Sequence, residues 1–227
     1  MISIIIPTYN EERVIGQLLT SLISVPSLEI IVSDGGSQDS TQKICEGFAD
    51  VKFISQSLGR GAQQNAGASV ATGDILCFLH ADSVLGTNVF CTMQRTVEQG
   101  RQWGCCTLSF DAYSLFFTYL AWISTMRAKV LSVCLGDQGI FCSADLFWSV
   151  GGFPLYPLME DLDFSKRLRK ISRAKVISGR IMTSARRFTQ NGPWRTLLKM
   201  QFLQLLFHLG VSPNKLAVIY SRGFKYE

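Results

Sequence analysis

The first half of the chain alternates two kinds of hydrophobic pattern. Residues 2–6 form a β-branched run broken only by Ser3, as expected of a strand covered on both faces. Residues 11–23 follow with Val14, Ile15, Leu18, Leu19, Leu22 and Ile23 apolar, the spacing of one helix face. The alternation continues: strand 28–33, helix 39–48, strand 51–55, a small-residue helix 61–72, and strand 75–79. Strand–helix alternation at this interval predicts right-handed crossovers and a parallel sheet. Ligands of such sheets sit at the carboxyl ends of the strands. The residues to read closely are therefore 7–11, 34–37 and 80–83.

The second half is less regular. A strand is predicted at 107–110, a helix at 115–133 and a short helix at 144–150. Gly151, Gly152, Pro154 and Pro157 mark a loop before a helix at 160–171. A strand follows at 175–184, and Pro193 opens a helix at 194–209.

Composition narrows the class. The 227 residues are 47% hydrophobic with only six prolines, which excludes disorder as the main state. Seven cysteines, an odd number without repeated spacing, argue against a disulfide-stapled module. They read as reduced, mostly buried thiols of a cytosolic protein. With two histidines and adjacent Cys105 and Cys106, no zinc spacing exists. No signal peptide is expected, because residues 2–6 are short and lack a basic lead. No stretch reaches the roughly 18 apolar residues of a spanning helix.

Charge is divided along the chain. Residues 1–163 hold 8 Lys and Arg against 16 Asp and Glu, whereas residues 164–227 hold 14 against one, Glu227. A basic tail of this kind suits a polyanion: a diphosphate, an anionic lipid or a nucleic acid.

Acids then mark the strand ends. Asp34 lies in Ser33-Asp34-Gly35-Gly36-Ser37, Asp82 in His80-Ala81-Asp82, and Glu160, Asp161 and Asp163 open a helix. A strand-end carboxylate can accept from a ribose or a base; carboxylate oxygen also suits Mg²⁺ or Mn²⁺. A carboxylate near an acceptor hydroxyl can act as a general base. Each piece alone also fits a turn or a helix cap.

Their order is more specific. Pro7-Thr8-Tyr9-Asn10-Glu11 on a β-run, the Asp34 motif, Gly59-Arg60-Gly61-Ala62 with Asn65, His80-Ala81-Asp82, and Glu160-Asp161 occur in sequence. Over roughly residues 2–190 the chain resembles family 2 glycosyltransferases, compact single-domain members of the bacterial type. The resemblance implies an α/β GT-A fold, a mixed, mostly parallel sheet flanked by helices. Residues 1–190 would form that domain, and residues 191–227 a basic helical extension packed on it. Implied too is transfer of a sugar from a nucleoside-diphosphate sugar to an acceptor hydroxyl, metal-assisted by Mn²⁺ or Mg²⁺ and inverting.

Residue by residue, the resemblance puts Pro7, Tyr9 and Glu11 in the nucleoside pocket. It gives Asp34, followed by Gly35, the base or ribose, and Arg60 the nucleotide's edge. Asp82 matches the metal-binding acid of the family's Asp-x-Asp element, with His80 where the first acid would stand. Asp161 matches the inverting base, beside Glu160. Arg186 and Arg187 are candidates to close over the diphosphate, and Asp137 to line the sugar or acceptor side.

The acceptor is open, a lipid or a small molecule; no nucleic acid is expected. The apolar helix 194–209 reads as core, as a homodimer interface or as peripheral membrane contact at the inner face of a membrane. Two rival readings stay open: a nucleotidyltransferase on a related scaffold, and a non-catalytic module binding anionic ligands or membranes.

Overall fold

The computed structural model describes residues 1–86 and 88–221; the last six residues of the expected C-terminal extension lie outside them. The chain runs β1 (Ile2–Thr8), α1 (Ile15–Ile23), β2 (Leu28–Asp34), α2 (Thr41–Glu46), β3 (Val51–Ser55), α3 (Arg60–Val70) and β4 (Ile75–Phe78). It continues through β5 (Val84–Leu85), α4 (Val89–Glu98), β6 (Trp103–Phe110), α5 (Leu115–Leu131), β7 (Ile140–Ser143) and α6 (Ala144–Ser149). The last elements are α7 (Glu160–Ile171), β8 (Lys175–Thr183), α8 (Arg186–Asn191), α9 (Pro193–His208) and α10 (Pro213–Ser221).

The eight strands form one sheet, ordered β3-β2-β1-β4-β7-β6-β8-β5. The β1–β2, β1–β4, β2–β3 and β6–β8 pairs are parallel. The β4–β7, β6–β7 and β5–β8 pairs are antiparallel. The sheet is therefore mixed and mostly parallel, as the resemblance implies: the strands of the first half, β1–β4, are parallel to one another, and the antiparallel pairs all involve β7 or β5. Strand β6 begins at Trp103, four residues before the predicted start, and α1 begins at Ile15 rather than 11.

Alternation along β1 divides the core. Ile4 and Ile6 pack on one face with Ile15, Leu19 and Leu22 of α1. Ile5 packs on the other with Ala68 of α3 and with Phe78, Phe147, Phe153 and Phe164. These four phenylalanines interlock; Phe153 and Phe164 rings lie 4.1 Å apart, and Phe78 and Phe153 4.8 Å. Phe153 thereby fixes the loop leading to α7. Asn65 of α3 fixes it further: its Nδ2 donates to the Phe153 carbonyl (2.8 Å), and its Oδ1 accepts from the Phe153 N–H (2.8 Å).

Helix α3 can lie this close only because it is built of small residues. A Cβ at Gly61 would overlap the carbonyl oxygen of Pro154. Gly61→Ala is expected to cost about 1–3 kcal/mol, as overpacking does, and to lower the midpoint of thermal unfolding by roughly 3–10 °C. A circular-dichroism melt checks this.

The described C-terminal helices pack on the same end of the molecule. Leu203 of α9 and Leu216 and Tyr220 of α10 join Val133, Met159 and Leu162 in a separate cluster. All seven cysteines are free, and all but Cys91 are buried. Burial raises the thiols of Cys77 and Cys142 well above the usual range, so they serve as small apolar side chains.

Candidate active site

A cavity of about 550 Å³ opens at the carboxyl ends of β1 and β4. It draws residues from distant parts of the chain: Pro7, Tyr9 and Glu11 after β1, Arg60 of α3, and His80 and Asp82 after β4. Asp137 comes from a 3₁₀ turn at Gly136–Gln138, Glu160 and Asp161 from α7, and Arg186 and Arg187 from α8. Eleven of the thirteen residues singled out in the sequence thus share one cavity.

Asp34 and Gly35 are the two that do not line it. The Asp34 carboxylate is engaged locally, accepting from Thr8 Oγ1 (3.1 Å), the N–H groups of Gly36 and Ser37 (2.8 Å each) and Ser37 Oγ (2.5 Å). It holds the β2–α2 turn, which in turn holds the loop after β1. Ser37 Oγ accepts from the Asn10 N–H (2.8 Å), Asn10 Oδ1 from the Gln38 N–H (2.8 Å), and Thr41 Oγ1 from the Glu11 N–H (2.8 Å). Asn10 adopts φ 54°, a left-handed conformation that asparagine tolerates. This stitching leaves the Tyr9 and Glu11 side chains free to face the cavity.

Gln63 is a residue the sequence reading missed. It is 3% exposed, lines the cavity, and its Nε2 donates to the carbonyls of both Thr8 (2.7 Å) and Ser33 (2.8 Å). It ties the ends of β1 and β2 to α3. Its signal was the polar run Gln63-Gln64-Asn65 in a helix otherwise rich in glycine and alanine.

The start of α7 also lines the cavity. Asp161 is held by two backbone donors: Gly136 N–H to Oδ2 and Leu162 N–H to Oδ1, both 2.7 Å. Glu160, with a side chain only 3% exposed, pairs with Arg60 Nη1 at 3.1 Å. Gly136 makes room where these groups meet. A Cβ there would stand 2.7 Å from His80 Nε2 and 3.4 Å from Asp161 Oδ2. His80 and Asp161 therefore flank the same glycine.

Burial sets the protonation of the site. It raises the carboxyl groups of Glu11, Asp82, Asp137 and Glu160 above their ordinary values; Arg60 opposes the rise at Glu160, and Arg186 and Arg187 oppose it at Asp82. Burial, with Arg60 and Arg187 nearby, lowers the His80 imidazole well below its usual value, so it is neutral at pH 7. Among the described residues that line the cavity, three buried side-chain polar atoms have no protein partner: His80 Nε2, Asp82 Oδ1 and Asp137 Oδ1. Buried polar atoms are normally satisfied, and these three are placed to pair with a bound polar group.

The raised carboxyls have a measurable consequence. Between the unfolded values of 3.8–4.5 and the higher folded ones, the native state holds more protons than the unfolded chain. Their contribution to stability is present below that window and lost as pH rises through it. Asp137→Asn is expected to reduce this loss, and thermal melts from below pH 4 to neutrality compare the two proteins.

The cavity also suits a divalent cation. Among the described residues no group of three or more metal-ligating side chains converges. A hard cation that keeps most of its shell for phosphate oxygens and water needs only one or two carboxylates, and the unpartnered Asp82 Oδ1 fits that role. A second hollow, of about 440 Å³ at the opposite end of β1 and β2, is lined by Glu29 and Asp50 but by no arginine, lysine or histidine side chain. Its Glu29 is already committed to Lys52, Ser3 and Thr72, which outweigh its burial and hold the carboxyl at about 2.

A parallel half-sheet, an acid-lined cleft at its carboxyl edge and a second half of mixed direction define a GT-A-like fold. The chain belongs to glycosyl transferase family 2, whose model matches residues 3–122. Glycosyltransferase GlyG of Streptococcus pneumoniae is 28% identical over 107 residues, 44% of this chain and 36% of that one. The chain thus spans about a third of that relative's length, and 23% of validoxylamine A glucosyltransferase from Streptomyces hygroscopicus, to which it is 31% identical over 96 residues (38% of this chain). Among solved structures, S. aureus TarS 1–349 superposes with a TM-score of 0.68 at 18% identity, covering 81% of this chain and 60% of that one. The mannosyltransferase PcManGT from Pyrobaculum calidifontis, in complex with GDP-Man and Mn²⁺, gives 0.60 at 21% identity, covering 80% and 56%.

Proposed function

We propose that this chain transfers a sugar from a nucleoside-diphosphate sugar to an acceptor hydroxyl, with inversion, and that Asp161 is the base. One observation carries the reading: a single cavity is lined both by Arg186, Arg187, Asp82 and Glu11 and by the carboxylate pair Glu160 and Asp161 at the start of α7. TarS has been solved with UDP-GlcNAc, and PcManGT with GDP-Man and Mn²⁺, which supports a diphosphate donor here.

Each residue has a task that its position suits. Tyr9, 44% exposed at the cavity rim, offers a ring face to a base. Asp82 would hold Mn²⁺ or Mg²⁺, which when bound neutralises charge on the leaving diphosphate. Arg186 and Arg187, exposed on α8 beside the cavity, supply further positive charge to the same group. His80, neutral and unpartnered at Nε2, can exchange one hydrogen bond with a ligand hydroxyl, a task its charge-free state permits.

Asp161 receives the acceptor proton. Its two oxygens offer about four lone-pair sites, and backbone donors occupy two. The remaining lone pairs can accept from a hydroxyl while the backbone bonds fix the carboxylate's direction. The acceptor oxygen then attacks the anomeric carbon as the bond to the diphosphate breaks, and the pair of electrons leaves with the diphosphate. Glu160, tied to Arg60, positions the turn and is not free to compete for that proton.

Phosphorus NMR of the protein with UDP-GlcNAc or GDP-mannose and Mn²⁺ tests the reaction class. Sugar transfer or slow donor hydrolysis releases the nucleoside diphosphate. Release of a sugar phosphate and a nucleoside monophosphate, or consumption of pyrophosphate, would instead indicate chemistry at phosphorus and overturn the reading.

A further inference from the structure

We propose that the outer face of α9, continued by α5, docks on an anionic lipid bilayer. Helix α9 carries Trp194, Leu198, Phe202, Leu205 and, at its carboxyl end, Leu209, exposed by 62%, 66%, 52%, 56% and 71%. Spacings of four, four, three and four place all five on one stripe. The inward side of the helix is already used: Thr196 and Leu203 are buried, and Met200 and Gln204 line the cavity. The exposed stripe is thus a second apolar face that the fold does not cover among the described residues.

The surface does not stop at α9. The Trp194 ring meets Phe116 of α5 edge-on at 4.9 Å. On α5, Tyr119 and Trp122 are 47% and 60% exposed, with rings 6.2 Å apart. Contiguous apolar patches of this kind mark interaction sites, and tryptophan and tyrosine suit the headgroup level of a membrane.

Charge identifies the occupant. Residues 164–221 contain twelve Lys and Arg and no Asp or Glu; Arg186 and Arg187 line the cavity and Arg167 pairs with Asp163, so the cations on α9 and α10 are the ones that bear on this face. Arg195 is exposed beside Trp194 and Lys215 is exposed on α10, whereas Lys199, one turn along α9, already donates to the Tyr220 carbonyl at 2.8 Å. An apolar stripe flanked by cations matches the boundary between acyl chains and anionic headgroups. A second copy matches less well, because an α9-to-α9 contact would repeat the same surface on both sides and set cations against cations. Sixteen helical residues span roughly 24 Å, short of a bilayer core of about 30 Å. Among the described residues, no helix is long and apolar enough to cross a membrane, so the helix would lie on the surface. Because Met200 and Gln204 line the cavity from the same helix, docking would bring the site to within about a helix diameter, roughly 10–12 Å, of the lipid.

Cosedimentation of the full chain with vesicles tests the proposal, independently of any transfer activity. Vesicles of equal parts phosphatidylcholine and phosphatidylglycerol are expected to bind it, and vesicles of phosphatidylcholine alone far less. Added salt should weaken binding, and the Leu198→Ser/Phe202→Ser pair should abolish it; both positions are more than half exposed, so the thermal midpoint should hold. Arg195→Glu should weaken binding several-fold. On the unsubstituted protein, brominated lipid should quench the emission of Trp194 and Trp122. Failure to bind the anionic vesicles would overturn the proposal, as would equal binding to both kinds. So would a concentration-dependent dimer abolished by the Leu198 and Phe202 substitutions, which would assign the stripe to a second copy.

Discussion

Asp161→Asn is expected to lower the rate of sugar transfer by roughly 10²–10⁴-fold, the range that general-base catalysis contributes, while leaving nucleotide binding nearly unchanged. The amide cannot take the acceptor proton at neutral pH. Geometry predicts a small second effect. The carboxylate accepts from two backbone N–H groups, those of Gly136 and Leu162. An asparagine has one acceptor oxygen, so one of these donors would face an NH₂ group. Leaving a buried donor without a partner costs about 1–3 kcal/mol. The variant should therefore melt lower by a few degrees yet remain folded. A transfer assay beside a calorimetric titration with nucleoside diphosphate separates the two effects. Retained transfer would remove Asp161 from the role of base.

Asp82→Ala is expected to act on the other half of the site. Loss of one charged partner from a buried contact costs roughly 2–5 kcal/mol, about 30-fold or more in affinity. The loss should appear only with Mn²⁺ or Mg²⁺ present, because the carboxylate would act through the cation. Without metal the variant should bind diphosphate as well as the parent or better, since a negative group has been removed from a phosphate site. Titrations of both proteins with and without Mn²⁺ read this directly. An unchanged metal dependence would assign the unpartnered Asp82 Oδ1 another function.

The contrast between the two halves of the chain explains what could be read in advance. Strands β1, β2 and β4 are largely buried on both faces and appear as apolar runs punctuated by Pro7, Asp34 and His80, and β3, at the edge of the sheet, is only partly covered. Val51–Ser55 and Glu160–Ile171 fall where their patterns place them. Strand β7, Ile140–Ser143, was hidden by its brevity and by the glycines beside it. It pairs antiparallel with β4 and with β6, and no local pattern specifies a strand's direction. Helix α4 was overlooked although Val89, Phe90, Met93 and Val97 carry a helical period. Helices α8 and α10 are short, and α10 draws its stability from Leu216 and Tyr220 packed on α7 and α9, a tertiary effect.

The candidates that come to line one cavity were legible because they stand at strand ends and helix starts. Their supports were not. Gln63 binds two carbonyls that are neighbours only once β1 and β2 pair. Asn65 clamps a segment 88 residues away. The contribution of α9 and α10 to the cavity, through Met200, Gln204, Ala217 and Tyr220, depends on how those helices fold back. Asp34 shows the converse: a strand-end acid that reads as a ligand group and sits within a turn network.

Calorimetric titration of the full chain with UDP, GDP, CDP and dTDP, each with and without Mn²⁺, tests the central claim most directly. Selective binding of one diphosphate, strengthened by the cation, is the result expected of a nucleotide-sugar site built around Asp82 and the two arginines. Binding of none, in either condition, would contradict it.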